Sequence, residues 1–203
     1  MTDTKHTLTP KERFDHLLKV ISSRRFLDCQ GLGNEVPFFI CPFDVRETLE
    51  MQGTVDQLIK GLLNHNVMVL KINLYDLIYE ILNREGDWQI YANSSETIET
   101  RDMLQDLQGI LDVESVLVPA IETQMDSSDW DVLFIDGIGE IFPLIRSHNV
   151  LNNLQIVAKT KPTIFFFPGE YKHSTDKGTS LDLFGRLEDD KYYRAFNIYD
   201  YDV

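Results

Sequence analysis

The sequence predicts an α/β fold with three layers. It calls for a mostly parallel sheet of about five strands with helices on both faces, either Rossmann-like or a degenerate P-loop-like variant without a phosphate-binding loop. Three observations carry this. VPFFIC (36–41), VMVLKI (67–72), WDVLFID (130–136) and KPTIFFFPG (161–169) are apolar runs with little alternation, as strands buried on both faces are. Segments with apolar residues at helical spacing separate them, which is the pattern of strand–helix–strand units. At 203 residues the chain is long enough for one such domain, and no internal repeat or second core is visible, so 1–203 reads as a single unit.

In chain order, residues 1–8 read as a flexible start. Thr9 then caps a helix, Pro10 suits its first position and Glu12 completes a capping box. Phe14, Leu17, Leu18 and Ile21 form its apolar stripe. The turn-rich DCQGLGNE leads into the first strand, VPFFIC. Asp44 and Glu47 spell a second capping box, opening a helix with Val55, Leu58, Ile59, Leu62 and Leu63 on one face. VMVLKI is the second strand. Asn73 caps the next helix, which buries Leu74, Leu77, Ile78, Ile81 and Leu82.

Residues 87–129 hold two helix candidates, one with Leu104, Leu107, Ile110 and Leu111, the other with Val116, Leu117, Ala120 and Ile121. WDVLFID and KPTIFFFPG are the third and fourth strands. Between them, Val150, Leu151, Leu154 and Val157 keep helical spacing through the polar stretch LIRSHNVLNNLQ (144–155). Its three asparagines cost about 1 kcal/mol relative to alanine in a helix, so the stretch invites a reason. EYKHSTDKGTSL (170–181) reads as a mobile loop, and YRAFNI (193–198) as a short fifth strand.

The formal net charge of −14 makes the chain acidic, which disfavours phosphate backbones and suits a basic protein partner. Cys29 and Cys41 show no metal spacing, and Cys41 reads as a buried small hydrophobe. Neither a signal peptide nor a membrane-spanning run is visible, and reduced thiols point to the cytoplasm.

Ligands and partners of open parallel sheets meet the carboxyl ends of the strands. Pro42, Asp44 and Arg46 follow the first strand; Asp136, Gly137, Gly139 and Glu140 end or follow the third; Pro168, Gly169, Glu170 and Tyr171 follow the fourth. Arg146, His148 and Asn149 come soon after the third, with Asn152 and Asn153 beyond. Each has a structural reading beside the functional one. Asp44 reads as a helix cap before a catalytic acid. Asp136 occupies the place of the strand-end acid that holds Mg²⁺ in nucleotide hydrolases, but Asp-Gly is also a common turn. His148 alone is more often structural than a base. Arg146 is expected to pair with Asp136, Glu140 or a carbonyl. Asn149, Asn152 and Asn153 either cap a helix and bond loop carbonyls or face a partner.

The motifs that would supply chemistry do not follow these strands. A phosphate-cradling loop needs glycines and a lysine after the first strand, where ICPFDVRE has neither. GIGE (137–140) lacks the third glycine of a dinucleotide fingerprint, and no nucleophile elbow or zinc motif occurs. The layout is that of a nucleotide-binding domain without its phosphate-binding chemistry. That predicts a non-catalytic module with no cofactor and no metal.

FFICPFDVRE, DVLFIDGIGEIFPLIRSHNVLNNLQ, KPTIFFFPGEY and SLDLFGRLEDDKYYRAFNI, in this order, resemble the BrxB family of BREX phage-defence systems. The resemblance covers roughly 36–198, and RSHNVLNNL and FFPGEY are its most specific phrases. It implies a small, non-enzymatic component of a multi-protein defence system that marks self DNA with the methyltransferase PglX. The alkaline-phosphatase-like protein PglZ is the partner first expected for an adaptor of this size, with PglX or the BREX ATPase as others. Direct nucleic-acid or membrane binding is not expected. The competing reading is a nucleotide sensor or metal-dependent enzyme using Asp136, Glu140, Arg146 and His148 with Mg²⁺.

Overall fold

A computed structural model describes residues 8–30, 37–94, 99–174, 178–185, 187–189 and 195–202. The flexible start expected for 1–8 therefore lies, except for Leu8, outside the described residues, as does most of DCQGLGNE. Helix α1 (Pro10–Ile21) starts as its sequence dictates: Thr9 Oγ1 accepts from the Glu12 amide, and Glu12 Oε2 accepts from the Thr9 amide at 2.9 Å. A short α2 (Arg24–Leu27) follows, then β1 (Phe38–Phe43), α3 (Thr48–Asn64), β2 (Val69–Asn73) and α4 (Leu74–Glu85). The region 87–129 forms α5 (Asp87–Ser94), α6 (Thr100–Ile110), a π turn at Val113–Leu117 and α7 (Val118–Asp126). The chain continues through β3 (Val132–Asp136), α8 (Ser147–Val157), β4 (Thr163–Ser174), β5 (Gly178–Leu183), β6 (Leu187–Asp189) and β7 (Phe196–Asn197).

The main sheet runs β2-β3-β4-β1-β7, and every neighbouring pair in it is parallel. In a Rossmann sheet the first strand neighbours the second. Here β1 lies between β4 and β7, so the strand order is not that of a Rossmann sheet.

The apolar runs resolve into two cores, because successive side chains in a strand point to opposite faces. Phe38 and Ile40 of β1, Leu133 and Ile135 of β3, and Phe165 and Phe167 of β4 share one core with α4, α7 and α8. Phe39, Cys41, Val132, Phe134, Ile164 and Phe166 point the other way, against α1 and α3. Seven phenylalanines are essentially fully buried, among them Phe39, Phe134 and Phe166. Each contributes about 1.5–3 kcal/mol of burial. This is the expected three-layer architecture.

Two local expectations need correction. EYKHSTDKGTSL does not form a loop in its described residues. β4 continues to Ser174, and β5 returns antiparallel, pairing Gly169 with Leu183 and Tyr171 with Leu181. The loop reading failed because an antiparallel ribbon, continued here by β6 on β5, accommodates many polar residues while burying apolar ones such as Leu181 and Leu183. The second capping box also fails. Asp44 caps a 3₁₀ turn at Val45–Glu47, accepting from the Arg46 amide, while Glu47 is drawn to Arg13. Of the expected fifth strand, 193 and 194 lie outside the described residues; within the rest, Phe196–Asn197 form the strand, paired with Phe39 and Ile40.

Candidate functional site

Strand-end residues gather at the carboxyl edge of the sheet, but they do not form one constellation. After β1, Arg46 closes back on Asp44 through Nε–Oδ1 at 3.0 Å and Nη2–Oδ2 at 2.5 Å. These contacts hold the Asp44 carboxyl down to about 2, chiefly through the Arg46 side chain and then its amide. The pair faces solvent and is satisfied by itself.

The end of β3 is different. Asp136 is 8% exposed, and its Oδ1 accepts from the Gly137 amide at 2.8 Å. Burial pushes its carboxyl above the ordinary value; the Gly137 amide and Lys71 oppose this, and Asp56 and Asp76 add to it. Glu140 is raised as well, first by desolvation and then by Asp136 and Asp76. Lys71, within reach of this group, is already held by Asp56 at 3.1 Å. Gly137 must be glycine, since its φ is +83° and a Cβ would lie 2.6 Å from Asn73 Oδ1. That same Asn73 oxygen caps α4 through the Tyr75 and Asp76 amides, as expected.

The polar stretch supplies no partner for these acids. Arg146 is exposed at the N-cap of α8 and makes neither the expected ion pair with Asp136 or Glu140 nor a side-chain cap. His148 is buried in the first turn, beside buried Ser147. Helix α8 begins before the asparagines, so none of them caps it. Asn149 and Asn152 face solvent, while Asn153 Nδ2 donates to the Asn149 carbonyl at 2.9 Å. Back-bonding of this kind partly offsets asparagine's poor helix propensity.

Gly169, Glu170 and Tyr171 are strand residues of the β4–β5 ladder. A Cβ at Gly169 would lie 2.2 Å from the Asp182 carbonyl, so glycine is what lets β5 approach. Glu170 pairs with Lys172 at 3.0 Å, and Tyr171 Oη donates to the Ala195 carbonyl at 2.6 Å. The same hairpin packs against the segment after β3. A Cβ on Gly139 would meet Pro168 at 2.7 Å and Phe184 at 3.1 Å, and Phe142 packs edge-on against Phe184.

Other polar groups escaped the sequence reading. Arg13, 5% exposed, binds Glu47 at 2.6 Å and Glu50 at 3.4 Å across α1 and α3. Tyr199 Oη lies 3.4 Å from Cys41 Sγ, and burial pushes that thiol up to about 12, which makes it inert at neutral pH. A solitary lysine in VMVLKI was the available signal for Lys71; nothing local marked Arg13 or Tyr199. Among the described residues no group of three His, Cys, Asp or Glu is placed to hold a metal ion. A cleft of about 330 Å³ lies at the opposite, amino end of the strands, lined by Arg24, His65, Asn66, Asp131 and Lys161 among others. It contains none of the predicted site residues.

The family described as BREX protein BrxB matches residues 70–198. A BREX protein BrxB from Bacillus cereus (strain H3081.97) is 32% identical over 193 residues, covering 93% of this chain and 97% of the relative. A BREX protein BrxB from Escherichia coli O9:H4 (strain HS) is 29% identical over 189 residues, covering 92% and 90%. No solved structure matches significantly.

Proposed function

The chain belongs to the BrxB family, and from that premise we propose that it serves a BREX system as a non-catalytic adaptor that binds other BREX proteins. PglZ is the first partner, with PglX and the BREX ATPase as further ones, in the cytoplasm. One observation carries the non-catalytic part. No phosphate loop follows β1, where ICPFDVRE has neither glycine nor lysine, and the segment after β3 packs against Pro168 and Phe184 at Gly139. The charge of −14 favours protein over nucleic-acid contact. Among the described residues no helix is long and apolar enough to cross a membrane.

The test is affinity purification of the tagged full chain from cells carrying the whole operon. PglZ or another BREX protein is expected in the eluate at low salt; an eluate without any BREX component sinks the reading. The buried, raised carboxyl of Asp136 with Glu140 nearby favours a second reading, in which these two acids serve a nucleotide sensor or metal-dependent enzyme. Calorimetry with ATP and GTP, with and without Mg²⁺, should give no heat under the adaptor reading, and saturable heat would favour the second.

A further inference from the structure

Helix α4 buries Leu77, Ile78, Ile81 and Leu82 and turns two tyrosines outward, Tyr75 at 47% and Tyr79 at 43% exposure. Four residues apart, they share one stripe of the helix. The stripe continues onto α5, where the Trp88 ring, 38% exposed, meets Tyr79 edge to face with centroids 5.3 Å apart. Solvent-facing Tyr and Trp in one patch have the composition of a binding hot spot, since they offer large rigid area at little entropic cost. The tyrosine rings lie on the side of α4 away from its buried leucine and isoleucine face.

The charge around the patch is mainly acidic, with Arg84 following Asp76 and Glu80 at helical spacing. Asp76 and Glu80 alternate with the tyrosines on α4, whose lone cation, Arg84, sits in the last turn. Asp76 also lies near enough to Asp136 and Glu140 to raise both carboxyls, so the acidic strand ends and the aromatic stripe adjoin. A second copy of this chain would bring a further −14 against that field.

We propose that Tyr75, Tyr79 and Trp88, flanked by Asp76 and Glu80, form the docking surface for a basic, arginine-bearing segment of a partner BREX protein. The carboxylates pair with guanidinium groups, and the rings accept them face-on as cation–π partners. This rests on the adaptor reading and adds to it the surface and the chemistry of the partner.

The test purifies the tagged full chain with the BREX protein it retains, then measures the affinity of that pair by calorimetry. Trp88→Ala and Tyr79→Ala are each expected to weaken it by about 30-fold. The double variant Asp76→Asn/Glu80→Gln should weaken it by roughly tenfold and flatten its salt dependence. Ile156→Ser, on the exposed side of α8, should leave affinity unchanged, and Tyr75→Ala gives an independent probe should one ring variant melt early. If wild type retains a BREX protein that the aromatic variants hold equally well, the surface is wrong while the adaptor reading stands. Loss in the aromatic variants without any effect of charge or salt overturns the basic partner. A wild-type dimer in sedimentation that Trp88→Ala dissociates overturns the choice of occupant. Retention of no BREX protein by wild type defeats the adaptor reading itself.

Discussion

The two flanks of the sheet treat their polar and aromatic groups in opposite ways. On the β1–β7 side, polar groups find partners within the chain: Arg13 with Glu47 and Glu50, Asp44 with Arg46, and the neutral Cys41 thiol with Tyr199. The His16 ring nitrogen Nε2 is an exception, buried without a hydrogen bond. Aromatic rings there pack on one another, with Phe39 touching Phe26, Phe196 and Tyr201. On the β2–β3 side, Asp136 and Glu140 lie near further carboxylates, with Lys71 and Gln52 as counterweights, while Tyr75, Tyr79 and Trp88 are partly exposed. The first flank has the organisation of a closed structural seam. The second leaves three aromatic rings partly exposed beside carboxylates, the features on which the proposed docking surface is built.

Substitutions on the two flanks should separate these roles. The largest effect is expected from Phe39→Ala on the closed flank, a loss of about 3–5 kcal/mol in urea denaturation, because it empties a shared aromatic core. Arg13→Ala should cost about 2 kcal/mol, less than full burial implies because Glu47 and Glu50 keep partial access to water. A loss as small as that of a surface substitution would remove the distinction between seam and surface.

The two strand-end aspartates give a sharper comparison, since their titrations have opposite signs. Asp136 has a raised folded value, so the native state binds its proton more readily than the unfolded chain, whose value is near 3.8. Its ionisation therefore lowers stability as pH rises above that value. Asp136→Asn keeps the acceptor for the Gly137 amide and should stabilise the protein at neutral pH, with a shallower decline of melting temperature toward neutrality. Asp44, lowered to about 2, contributes stability that is present above 3.8 and lost as pH falls through about 2. Asp44→Asn should thus remove stability at neutral pH, and identical pH profiles for the two variants would break the comparison. The smallest change in stability is expected of Trp88→Ala, within about 0.5 kcal/mol, even though it should matter most for binding.

Much of the fold was legible because strand identity is written in short apolar runs. VMVLKI, WDVLFID and KPTIFFFPG needed no partner to be recognised as strands, though VMVLKI lies at the sheet edge and is only partly buried. The β4–β5 hairpin was not legible, since Lys172, Ser174, Thr179 and Ser180 serve a ribbon as well as a loop, and only pairing distinguishes the two. For the site, proximity in sequence misled. Glu47 had the spacing of a capping partner for Asp44 but went to Arg13, 34 residues away. Arg146, ten positions after Asp136, turned to solvent instead.

The sequence by itself determined the α/β class, the helix starts at Thr9 and Asn73, and the want of a phosphate loop after β1. All are local: they depend on periodicity, on a side chain reaching its own backbone, or on which residues stand next in line. The tertiary structure alone decided the order β2-β3-β4-β1-β7, the close approach of Pro168 and Phe184 to Gly139, and the exposure of Tyr75, Tyr79 and Trp88. Those depend on which distant segments meet. Pairing energies between segments are set by packing and charge across space, and no spacing along the chain encodes them.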